Sequence, residues 1–206
     1  MSQSAKTAIG GMITALSVVI LMPTALDLFV YALPAMAGML TMFAVVELGK
    51  KWSFGVYVAV SLISLLLVPN KEAAIMYVAF FGYYPVAKAI LESKLPKVPE
   101  YICKFLLFNV SVIAAYAVLI KILGMPFDEL MGLTEEDGLL RQFAVPVMLG
   151  LGNMVFIVFD IALTRIVTAY LRVWQKKFRK LFPFKFNITV SPIKGPSTRR
   201  SEDVRS

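Results

Sequence analysis

The length of the apolar runs constrains this chain most. Residues 53–68, SFGVYVAVSLISLLLV, carry no charge, and similar runs recur along the sequence. The runs are roughly 17–24 residues long, enough to cross a hydrocarbon core about 30 Å thick as helices. The chain is 59% hydrophobic, above the roughly 45–50% of soluble domains. These features predict an all-α integral membrane protein with little soluble mass. Its 206 residues suffice for one helical bundle, but not for a bundle plus a catalytic domain.

Six spans can be drawn, over residues 7–22, 26–46, 52–68, 72–91, 101–123 and 143–164. Asp27 opens the second and Pro34 is expected to bend it. The sixth is expected to continue as a polar helix to residue 181. Together these form one transmembrane domain over residues 1–182. Residues 183–206 are rich in Pro, Ser and Arg and read as a disordered basic tail. The first run follows Lys6 as a signal peptide would. The A-x-A pattern at 35–37 lies inside the second run, so the first run is read as an uncleaved span.

Charge sets the expected orientation, because cytoplasmic loops carry the excess of Lys and Arg. With the N-terminus inside, all of the 21 Lys and Arg fall at the cytoplasmic face except Lys71, Lys121 and Arg141. The long outer loop, 124–140, holds Asp128, Glu129, Glu135, Glu136 and Asp137 and no base. Both termini are therefore expected in the cytoplasm. The net charge of +8 follows from this asymmetry and does not call for nucleic acid.

Several chemistries lack their residues. There is no histidine, the commonest general base and metal ligand. The single cysteine, Cys103, has no histidine to activate it and no partner for a disulfide. No Gly-rich phosphate loop occurs. The expectation is a protein that is not an enzyme and holds no metal or cofactor.

Polar residues inside a span are costly and are functional candidates. Lys88, Lys104 and Lys121 lie near span ends, where a long stem can reach the interface. Asp160 is too short for that, so a cation such as Lys88 or Arg165 is its expected partner. Asn153, Asp160 and Thr164 share one face of the sixth span, and Asn109 and Tyr116 share one of the fifth. Tyr77, Phe81, Tyr84 and Lys88 form a stripe on the fourth. Tyr84 is too deep for the interfacial aromatic belt and needs a partner within the protein. Pro85 leaves the carbonyl of Phe81 without its helical donor. Helix packing and the wall of a solute cavity both account for this stripe.

Two further features concern partners. Ala8, Gly11 and Ala15 form a small-residue patch on the first span, which lets helix backbones meet. Arg172, Lys176, Lys177, Arg179 and Lys180 alternate with apolar residues after the last span. They read as an amphipathic helix on anionic lipid headgroups, each cation worth about 1 kcal/mol there.

Six short spans, tight outer hairpins, a small-residue first helix and a basic cytoplasmic tail form a pattern. Over residues 6–181 it resembles the substrate-binding S components of energy-coupling-factor (ECF) transporters. Relatives such as the rod-shape-determining protein D family share it. The resemblance implies an ECF S-component-like bundle in the plasma membrane of a prokaryote. It implies docking of a transmembrane T subunit at Ala8, Gly11 and Ala15, here a GxxxA variant of the family's AxxxA, and energy from separate ATPases. It implies a vitamin or other micronutrient bound near the outer face. The candidate positions for it are Asn70, Lys71, Glu72, Tyr77, Lys121 and Asn153. Lys71 and Lys121 facing one cavity would favour an anionic ligand. A scaffold that recruits partners through its basic C-terminus is the alternative.

Overall fold

In the computed structural model every described regular element is a helix. The structure describes residues 2–26, 29–126, 128, 130 and 138–171, and of 138–142 the backbone alone. Asp27, most of the acidic loop, the side chain of Arg141, the expected amphipathic helix (Arg172, Lys176, Lys177, Arg179, Lys180) and the tail lie outside the described residues.

Helix α1 spans Gln3–Leu21 and starts at Ser2, whose hydroxyl accepts the Ala5 N–H at 3.3 Å. A tighter 3-10 turn, Met22–Leu26, follows. Helix α2 spans Ala32–Leu48 and α3 Lys50–Leu67, joined by Gly49 alone. Gly49 has φ +86°, a conformation that a side chain would strain. Helices α4, Lys71–Met76, and α5, Tyr84–Lys94, form one central segment with a π-helical turn, Tyr77–Phe81, between them. Helix α6 is Lys97–Lys121 and α7 is Gly138–Ala169.

Five stretches are long and apolar enough to cross a membrane: Gln3–Leu26, Lys50–Leu67, Lys71–Lys94, Lys97–Lys121 and Phe143–Ala169. Ala32–Leu48 is a shorter apolar helix. Its start corrects the expected second span, which began at residue 26. Pro34 falls in the first turn of α2, where no helical N–H is required, so it starts the helix and does not bend it.

The outside of the bundle is apolar. Met12, Leu66 and Val158 are 72%, 81% and 67% exposed. Helices with such faces suit hydrocarbon and mark a membrane protein. The central segment is different. Of its apolar window 61% is buried, against 22% to 33% for the other four long stretches. Helix α2 packs on α1, α3 and α5, and both α2 and α6 pack on the π-helical turn.

The turn has a local cause. Pro85 has no N–H to give the preceding turn, and the chain widens ahead of it, so the Gly82 N–H reaches back to the Tyr77 carbonyl at 2.7 Å. The Tyr57 hydroxyl donates to the Val78 carbonyl at 2.9 Å. Gly38 of α2 lies directly against the Phe81 carbonyl, the one Pro85 leaves without a donor. A Cβ on Gly38 would sit 2.4 Å from that oxygen.

Side-chain contacts gather one basic end. The Lys6 ammonium lies 5.8 Å over the Trp52 ring, Lys50 donates to Ser93 at 2.9 Å, and the Tyr170 hydroxyl donates to Glu47 at 2.5 Å. The starts of α1 and α3 and the ends of α2, α5 and α7 thus share this end. Tyr31, the start of α4 and the end of α6 lie at the opposite end.

Candidate functional site

Three polar groups among the described residues each draw on α4–α5, α6 or α7. The first lies toward the basic end. Lys104 is seven residues into α6, about 10 Å along the helix axis. The Lys88 ammonium donates to the Asp160 carboxylate, to the Asp160 carbonyl at 3.2 Å and to Glu92 at 2.9 Å. Lys104 meets Glu100 at 2.6 Å, Glu92 at 2.8 Å and the second Asp160 oxygen at 3.5 Å. The Tyr84 hydroxyl donates to Asp160 at 2.6 Å.

This network confirms Lys88 as the partner of Asp160 and corrects the expectation that Lys88 and Lys104 snorkel. Their side chains are only 1% and 2% exposed. Carboxylates from α5 and α7 reach both ammonium groups inside the bundle, and Glu100 of α6 reaches Lys104 as well, so neither needs the interface. Glu92 and Glu100 were not anticipated. Their signal was the spacing of Lys88 to Glu92 and Glu100 to Lys104, each four apart and so on one helix face.

The second group lies between α6 and α7. Asn109 and Asn153 exchange amide hydrogen bonds at 3.0 Å in both directions. Their remaining N–H bonds go to the Phe105 and Leu149 carbonyls at 2.8 and 2.7 Å. Both amide nitrogens thus have both protons engaged within the protein. The structure therefore makes Asn153 one half of a helix clasp. Tyr77, another expected ligand contact, is fully buried, and its hydroxyl lies 3.2 Å from that of Thr41.

The third group lies at the end opposite the basic one. The Tyr31 hydroxyl donates to Glu72 at 2.5 Å and lies 2.8 Å from the Tyr116 hydroxyl. The three side chains come from the segment before α2, from the first turn of α4 and from α6. Tyr116 is 9% and Tyr31 47% exposed, so the group runs from the packed interior to the surface. Tyr31 was missed because it sits within an apolar run, with nothing in the sequence to pair it with Glu72.

The neighbours of Glu72 have local duties. Asn70 caps α4 by accepting the Ala73 N–H at 2.9 Å. The Lys71 ammonium donates to the Leu65 and Val68 carbonyls, at 3.0 and 3.1 Å, at the end of α3. Lys121 is exposed. Among the expected ligand positions, Glu72 joins a polar group drawn from three elements. Ala8, Gly11 and Ala15 are exposed along α1, with open space around Gly11. Among the described residues no three His, Cys, Asp or Glu are grouped to hold a metal. No family model, no curated protein and no solved structure matches the chain.

Proposed function

We propose that this protein is a membrane subunit that captures a small solute at the outer face for uptake, with energy supplied by separate ATPase and coupling subunits. The carrying observation is the meeting of Tyr31, Glu72 and Tyr116 at the end opposite the basic one. The positive-inside rule assigns the basic end to the cytoplasm, so this group would face outward. The reading takes Ala32–Leu48 as a sixth span. Its 17 residues, about 26 Å of helix, reach the lower limit for crossing. It places the protein in a prokaryotic plasma membrane with both termini inside. Exposed Ala8, Gly11 and Ala15 would form the surface for the coupling subunit, and no catalytic step is assigned to the chain.

Thermal unfolding of the full chain across a micronutrient library tests this. One or more solutes should raise the unfolding midpoint, and an ATPase should co-purify. Neither result appearing would overturn the reading. A protein partner lost on deleting residues 183–206, with no solute bound, would favour the scaffold.

A further inference from the structure

The outer polar group carries an unbalanced charge. Glu72 accepts the Tyr31 proton, and the phenol of Tyr31 has no second proton to give. The 2.8 Å contact between the phenols must therefore use the Tyr116 proton, donated to the Tyr31 oxygen. The protons of this chain all point toward the carboxylate, and the groups that supply them are neutral. Among the described residues no Lys or Arg forms an ion pair with Glu72; the ion pairs belong to the cluster at the other end. The adjacent Lys71 ammonium is turned onto the carbonyls of α3. The start of α4 compensates only about half a charge.

We propose that Tyr31, Glu72 and Tyr116 form a binding site for a small organic cation, an ammonium or guanidinium group carried on an apolar body. The carboxylate holds the charged head through a charge-assisted hydrogen bond. This rests on the solute-capture reading and narrows it. It also reverses the anionic ligand that Lys71 and Lys121 suggested in the sequence, because Lys71 is occupied elsewhere.

The test uses the full chain in lipid nanodiscs and four probes of similar size: benzylammonium, phenylguanidinium, benzyl alcohol and benzoate. The two cations should raise the unfolding midpoint; the alcohol and the benzoate should not. Glu72→Gln keeps an oxygen for Tyr31 but loses the charge. It should weaken the cations on the order of tenfold to a hundredfold. If Glu72→Gln does not fold, Tyr31→Phe keeps both ring and carboxylate, and should still show stabilisation by cations over benzoate. Cation stabilisation unchanged by Glu72→Gln would overturn the site. If neither cation acts while a neutral or anionic micronutrient stabilises the chain, the charge class is wrong and solute capture stands. If no probe and no micronutrient acts, both fall.

Discussion

The two ends of the central segment balance charge differently. Toward the basic end two ammonium groups meet three carboxylates, and every charged group has an opposite charge within reach. The surplus negative charge has an outlet at Glu92, whose side chain is 34% exposed to solvent. At the other end Glu72 meets neutral hydroxyls and no cation among the described residues. A cluster whose partners all come from the chain holds helices together. A carboxylate left to neutral donors has capacity for something from outside.

The sharpest way to break this contrast is to open the closed network. Asp160→Ala leaves the buried Lys88 with Glu92 as its remaining carboxylate. Breaking one partner of a buried pair costs about 3–5 kcal/mol. The low end is expected here, because Glu92 stays. Reversible unfolding in mild detergent measures it. Replacing the pair together, Lys88→Met with Asp160→Leu, should recover part of the loss: Lys104 keeps Glu92 and Glu100, so no buried charge is left unpaired, and the Tyr84 hydroxyl loses its acceptor. A silent Asp160→Ala would mean that the cluster is solvated and not closed. A double variant as weak as the single would give the cluster a role beyond packing.

The next effect concerns the bend that sets the two groups on one segment. Gly38→Ala would drive a methyl against the Phe81 carbonyl, 2.4 Å away. Overpacking of this kind costs about 1–3 kcal/mol. The same unfolding assay should show it, whereas Gly11→Ala, with open space around the Cβ, should cost little. Equal costs at the two glycines would remove the close approach of α2 from the account.

Much of the fold was legible because apolar length is a local, additive signal. The starts of α3, α4 and α6 fall near the expected positions, and each has its marker in Gly49, Asn70 or Pro96. Helix α2 was placed six residues early because Leu26, Phe29 and Val30 are as apolar as a span, while the turn Met22–Leu26 depends on tertiary context. The Lys88–Asp160 pair was legible, since a short carboxylate deep in a span needs a cation. The depth of Lys88 and Lys104 was not, because span position tells where a stem begins and not where its ammonium goes. Tyr31 with Glu72, 41 positions apart, had no sequence signal at all.

Between the two ends sits the Asn109–Asn153 clasp, a smaller test of the same contrast. Each single replacement by Ala leaves the other amide short of its partner. Replacing both should cost less than the two singles added, with a coupling of about 0.6 kcal/mol and at most about 1.7. Stabilisation by a bound solute should be unchanged in all three variants. If Asn153→Ala abolishes solute binding while stability holds, the clasp belongs to the site after all.

The smallest expected effect divides two adjacent residues. Lys71→Met removes a donor from two carbonyls at the end of α3. A cation at a helix C-terminus is worth about 0.3–1 kcal/mol at an exposed position, so the loss in unfolding free energy should be at that level. The informative measurement is the charge preference of bound solutes, compared with Glu72→Gln. If Lys71 only caps α3, Lys71→Met leaves the preference for cations intact and Glu72→Gln removes it. If Lys71 lines the site, its removal strengthens cation binding by lifting a repulsion, or abolishes the binding of an anion. In that case the Glu72 end would be balanced like the basic one, with Lys71 answering Glu72, and the difference between the two ends would disappear.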